Sequence, residues 1–306
     1  TKISTIDAAG KVLSPGFIDV HTHDDHALIM WPDMTFKASQ GVTSVVAGNC
    51  GISLAPLTWG DSPLPPPLDL LGNGYHFPKV AQFFKFLEQN PPALNAGLLC
   101  GHTTLRAGAM DNLTCAATET ELNQMREHLQ EALDAGVLGL STGLAYAPAM
   151  SAPTSEVIAL AELLGPARAL YTTHLRNEEE KIEEALEEAF EIGRAAGVPV
   201  VLSHHKVAGK AQFGRTKQTL DIIEKIRDLQ TVHLDVYPYH ASSTVIRPDR
   251  LKHSNKTLIT WSKPMPEHAG RDLADVADEM GLSLEKAAEK LMPGGAIYFA
   301  MDEQDV

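Results

Sequence analysis

The chain has no run of 18 or more apolar residues, so it contains no candidate for a membrane-spanning helix. Basic residues are scarce. Against 39 Asp and Glu there are only 25 Lys and Arg, a formal charge of −14, which argues against a nucleic-acid sleeve or a binder of anionic membranes. Cysteine is scarcer still: Cys50, Cys100 and Cys115 are odd in number and widely spaced, which is no disulfide framework and leaves at least one thiol free. That usage fits a reducing, cytoplasmic setting. The N-terminal residues Thr1 to Gly10 carry neither a basic start nor an apolar core, so no signal peptide is expected. Phosphate loops of the G-x-G-x-x-G or G-x-x-x-x-G-K-[ST] kind are missing too. What remains, 44% hydrophobic and 21% charged over 306 residues, is the composition of one large or two modest globular domains.

Within that composition the chain keeps one rhythm: a short apolar run, then a polar or small residue, then a longer amphipathic stretch. Apolar runs at Gly16–Val20, Thr43–Ala47, Ala96–Cys100, Val137–Leu140, Ala169–Thr173, Val198–Leu202 and Val232–Val236 are seven candidate strands. Between them, Met34–Gln40, Val80–Gln89, Glu119–Ala135, Ser155–Leu164, Glu178–Ala196 and Thr216–Leu229 have helical spacing. The acidic run that opens Glu178–Ala196 reads as the solvated face of an outer helix. Two excursions break the rhythm: the Pro-rich residues 51–78, read as a long surface loop, and residues 238–292, with short helical patterns at Arg271–Met280 and Leu284–Leu291. The second is either a lid over the mouth of the fold or a passive subdomain. Chemistry-bearing residues gather where apolar runs end, the place where a parallel α/β barrel builds its site.

The candidates at those exits are specific. His21 and His23, in FIDVHTHD, are two apart and on a regular strand face the same way, able to meet one cation. Cys50, in GNCGIS, is either a packed core thiol or, as thiolate, a zinc ligand. His174 ends the fifth run and His204 the sixth, with His205 facing away and Lys206 sharing the side of His204. A sulfur with imidazoles from separate strands suits four-coordinate zinc completed by water. The other histidines read as surface or loop residues, His102 at the third exit being the exception.

The segments LSPGFIDVHTHDD, QGVTSVVAGNCGISLAPL, GLSTGLAYAPA, THLRNE, VPVVLSHHKVAGK, LDVYPY and KTLITWSKP together resemble the N-acyl-D-amino-acid deacylases, or D-aminoacylases, of the amidohydrolase superfamily, over essentially the whole chain. The resemblance implies an α/β fold, a metal-bearing (β/α)8 barrel over residues 14–306 with an insertion at 238–292, and in residues 1–13 the remnant of a small β-sandwich domain. It implies zinc held tightly by Cys50, His174 and His204, with His21 and His23 at a weaker second position. Lys206 and Tyr237 would pair with the substrate carboxylate and Tyr146 would donate to the scissile carbonyl. The substrate implied is a small N-acyl-D-amino acid, hydrolysed to a carboxylate and a free D-amino acid, with no nucleic acid or membrane as partner. Many binuclear relatives carry a carboxylated lysine on the fourth strand; VLGLSTG has none, and by the resemblance Cys50 would supply that negative charge.

One departure counts against activity. The family's general-base aspartate, in an S-D-G context on an eighth strand, is expected beyond Val306, and Asp302, Glu303 and Asp305 do not match it. A barrel without that strand is expected to leave an open edge and exposed apolar faces. Rival readings are a cyclic-amide hydrolase of the hydantoinase or dihydroorotase kind, which expects the missing lysine, and a catalytically impaired zinc-binding module.

Overall fold

The computed structural model describes residues 7–60, 63–72 and 74–306. Strands covered on both faces read as unbroken apolar runs rather than alternating ones. All seven runs are strands: β1 (Phe17–Asp19), β2 (Val42–Ala47), β3 (Asn95–Gly101), β4 (Gly139–Gly143), β5 (Leu170–His174), β6 (Val200–Leu202) and β7 (Val232–Leu234). They pair in chain order, β1 to β7, and every pairing is parallel. Register carries one apolar row across the sheet, Cys100 beside Leu140, Leu140 beside Tyr171, Tyr171 beside Val200 and Val200 beside Val232, each of them buried. Amphipathic helices cover the outside. The longest, Glu119–Ala135, starts in a reciprocal cap between Thr118 and Glu121 and buries Met125, Leu129, Ala132 and Leu133.

The sheet is curved as a barrel is. His21, just beyond β1, lies 3.0 Å from Asp235, just beyond β7, so the exits of the two outermost strands meet although the strands themselves do not pair. On the edge strand β1, Phe17 and Ile18 are exposed, as is Val236 after β7, in line with the open edge expected from the sequence. The small β-domain remnant expected at 1–13 falls partly on residues 1–6, outside the described residues; residues 7–13 contain a turn and no strand.

The later excursion is more than loops and two helices. It holds a three-stranded antiparallel sheet in the order β8 (Ser242–Val245), β10 (Gly294–Phe299), β9 (Lys256–Ser262), so the unit runs past residue 292. The helices Leu273–Met280 and Leu284–Leu291 pack on it through Leu273, Val276, Ala288 and Leu291. These residues form a core distinct from that of the parallel sheet. The polar sequence of β8, SSTV, and the short run of β9 explain why periodicity alone did not mark them.

A charged network is sealed beneath the third exit. The helix His102–Ala109 follows β3 directly, and its Arg106, wholly buried, donates to Glu156 and to the carbonyls of Pro148 and Cys115. Glu156 also bonds His102 Nε2 at 2.9 Å and accepts from the Ala117 amide at 3.1 Å. His102 is therefore a buried structural residue. Among the described residues no helix is long and apolar enough to cross a membrane.

Candidate metal centre

Cys50 sits in a tight turn. After β2 the segment Gly48-Asn49-Cys50-Gly51 places three residues in the left-handed region, with φ of 81° at Gly48, 54° at Cys50 and 77° at Gly51. A Cβ on Gly48 would stand 2.1 Å from the Leu99 carbonyl oxygen, so only glycine lets the loop lie this close to β3. A thiol-bearing residue at positive φ is held there by its surroundings. Asp25 spans the loop: one carboxylate oxygen accepts from the Gly48 amide at 3.0 Å and the other from the Leu54 amide at 3.1 Å. Ser141 of β4 clamps the middle, accepting from the Gly51 amide at 3.0 Å and donating to the Gly48 carbonyl. Because Asp25 belongs to the segment that carries His21 and His23, it ties the two candidate ligand loops together. Asp25→Asn replaces an acceptor oxygen by an NH2 that must confront one of those amides. The expected result is a 10- to 100-fold loss of zinc affinity with the fold retained, read by competition with a chromophoric chelator; unchanged affinity would show that the brace is dispensable.

The loop aims the Cys50 sulfur at two imidazoles. Its Sγ lies 3.3 Å from His21 Nε2 and 3.5 Å from His204 Nε2. Among the described residues, His21, Cys50 and His204 form one group able to share an ion, and His174, Glu178 and His204 form a second that adjoins it through His204. The His174 and His204 rings meet edge to face at 4.5 Å, and both nitrogens of the buried His174 lack a hydrogen-bond partner. His23 belongs to neither group; its ring stands edge-on to His21 at 5.8 Å. β1 ends at Asp19, so the two histidines project from the loop beyond it, not from a regular strand. His204 lies past the end of β6 with φ of 38°, while His205 turns outward to Thr219 at 2.9 Å, the opposite facing expected of neighbours.

The far nitrogens are fixed by acids. His21 Nδ1 faces Asp235, which also accepts from the His204 amide at 2.7 Å. His204 Nδ1 faces Glu178 at 3.1 Å and Lys206 Nζ at 2.9 Å. Neither acid was anticipated. Glu178 opens the acidic run read as a solvated helix face, but the helix begins at Ile182, and Glu178 is buried in the preceding turn, in contact with Lys206 at 2.6 Å. Asp235 lay unremarked in LDVYPY, and an acid set within the apolar run Val232–Val236 was the available signal.

Charge follows from this packing. Burial alone would raise the Cys50 thiol, yet the charge on His204 and the bonds to the surrounding imidazoles hold it well below its ordinary value, as a thiolate. His21, despite burial, is raised to about 10 by Asp235 and Cys50. Burial lowers His174 to about 4, leaving it neutral. Cys100, by contrast, is buried without charged neighbours and its thiol is pushed up. A deprotonated sulfur, a neutral unpartnered imidazole and two imidazoles backed by carboxylates are a donor set that fits zinc.

Around this cluster stand the other expected residues. Tyr146, after β4, lays its ring 4.8 Å from His174 and its hydroxyl 3.5 Å from Thr244. The Tyr237 hydroxyl is buried without a partner, and Lys206 Nζ lies 5.7 Å from the centre of that ring. Lys206 commits its donors to Glu178, His204 Nδ1 and the His204 carbonyl. Burial raises both phenols, keeping them protonated.

Residues 4–282 match the model of the amidohydrolase family. The chain is 50% identical over 303 residues to a D-aminoacylase of Alcaligenes xylosoxydans xylosoxydans, covering 98% of this chain and 62% of that protein. It is also 50% identical over 307 residues to an N-acyl-D-aspartate deacylase of the same organism, covering 99% and 61%. A crystal structure of N-acyl-D-glutamate deacylase from Bordetella bronchiseptica, complexed with zinc and a phosphonate mimic of the tetrahedral intermediate, superposes with a TM-score of 0.94 at 44% identity, over 98% of this chain and 63% of that one. The chain thus spans about three fifths of the length of these relatives.

Proposed function

The chain belongs to the amidohydrolase family, and from that premise we propose that it is the metal-bearing part of a zinc-dependent hydrolase that cleaves N-acyl-D-amino acids into a carboxylate and a free D-amino acid. The observation that carries the reading is the Cys50 sulfur facing two imidazoles within 3.5 Å, beside the unpartnered His174. Cys50, His174 and His204 would hold the tight zinc, and His21 and His23 would face a weaker second position. Zinc bound there supplies polarisation of the acyl carbonyl and a lowered pKa for the attacking water.

The chain's own residues do the rest. Asp235 accepts a hydrogen bond from His21 Nδ1, which aims Nε2 at the sulfur. Glu178 does the same for His204; once His204 Nδ1 donates to Glu178, Lys206 regains a donor for the substrate carboxylate, with the Tyr237 hydroxyl as its partner. Tyr146, kept protonated by burial, donates to the developing oxyanion.

The test is a comparison of N-acetyl-D-methionine, its L-enantiomer and a hydantoin with the zinc-loaded protein. The D-substrate is expected to lead the others in kcat/KM by about a hundredfold or more. Faster opening of the hydantoin would transfer the chain to the cyclic-amide hydrolases, and hydrolysis of none of the three by a protein that also carries the S-D-G aspartate would remove the reading.

A further inference from the structure

The two excursions that the metal chemistry leaves aside converge on one cavity. Pro66 from the Pro-rich segment, Leu113, Met150, and Ile246 and Met292 from the antiparallel unit enclose about 730 Å³ against the side chain of Tyr146. Tyr146 thus has two faces of consequence: its ring meets His174 at 4.8 Å, and it walls the cavity. The lining is predominantly apolar, and its charges have assigned places. Arg247 is paired with Asp249 at the border with a second cavity, while Asp69 keeps one carboxylate oxygen buried and unpartnered. An anion entering here would lose its hydration and meet Asp69. The second cavity, about 620 Å³, is lined instead by charged side chains that include Glu178 and Arg250.

An N-acyl amino acid has two unlike ends, one ionised and one not. The apolar side suits the acyl end, and Lys206, in contact with Glu178 of the charged side, meets the ionised end. We propose that the apolar cavity is the acyl pocket and that it takes unbranched acyl chains of medium length, a substrate class well beyond acetyl; the assignment rests on the deacylase reading above. The volume lies in the range of pockets that enclose a whole small ligand, and a two-carbon acyl group would leave most of it empty. Both excursions then serve selection: they build the wall that a chain longer than acetyl would touch.

The experiment compares N-octanoyl- and N-acetyl-D-methionine, in turnover and in calorimetric binding, for the native protein and for the cavity-filling variants Leu113→Trp and Val245→Trp. The octanoyl compound is expected to exceed the acetyl compound at least about tenfold in kcat/KM and in affinity. The variants should abolish that advantage while leaving the acetyl compound unaltered. Equal handling of the two acyl groups, or variants that lower both alike, would overturn the pocket. Tight octanoyl binding that Leu113→Trp removes, without hydrolysis of either compound, would uphold the pocket and discard the reaction.

Discussion

Cys50→Ala is expected to strip the centre of its tight metal, with zinc affinity falling by more than the 10- to 100-fold that loss of an outer-shell partner costs. The argument is electrostatic as well as geometric. Cys50 is the only sulfur in the cluster and carries its negative charge next to imidazoles, so alanine leaves His174 and His204 as neutral ligands to a dication without a strong anionic partner. Glu178 does not replace it, because its charge is already committed to Lys206 and His204. Zinc content after gel filtration, and the sulfur-to-cobalt charge-transfer band of the cobalt-substituted protein, should both disappear, and hydrolysis with them. Cys100→Ala is the control: that thiol is buried in the row between strands and should leave the metal unaffected. Retention of stoichiometric zinc by Cys50→Ala would refute the assignment of the centre.

Glu156→Ala should cost about 3–5 kcal/mol in unfolding free energy, the effect of leaving a buried cation without its counter-charge. Arg106 would keep its carbonyl partners, and His102 and the Ala117 amide would lose their acceptor. Urea titration of the two proteins measures the difference. The same network predicts a pH dependence. Against the burial that would raise it, His102 and Arg106 lower Glu156 from 4.5 to about 2. A depressed carboxyl stabilises the fold above its unfolded value and ceases to do so as pH falls through its folded one. Stability from this group should therefore be complete above about pH 4.5 and decline toward pH 2, and the decline should be reduced in Glu156→Ala.

The sheet was legible because parallel strands leave an unmistakable trace: each of the seven runs, from Gly16–Val20 to Val232–Val236, overlaps an observed strand. Three helices, Val80–Gln89, Glu119–Ala135 and Leu284–Leu291, agree to the residue, each with a clear amphipathic face. Position in the chain also marked Cys50, His21 and His204, which the fold brings within one coordination sphere of each other. What escaped was whatever depends on burial. Glu178 begins a string of acids, and nothing in such a string distinguishes the one that folds inward from those that remain in water. Backbone shape escaped as well, since the left-handed turns at Cys50 and His204 have no sequence signature when the residue is not glycine. Strands β8 to β10 are antiparallel and interrupt their apolar residues with polar ones or glycine, so they lacked the continuous run that exposed the others.

The antiparallel unit, with an interior of its own, has a consequence for how the protein breathes. Segments that bury their apolar side chains mainly among themselves open as cooperative blocks, at a free energy below that of global unfolding. Amide protons of Leu273–Met280 and Lys256–Ser262 should then exchange together and ahead of those in β4 and β5, where neighbouring strands lie on both sides. On the acyl-pocket proposal, substitutions within this unit should alter acyl preference while the Cys50 cluster, which belongs to the other core, keeps its geometry.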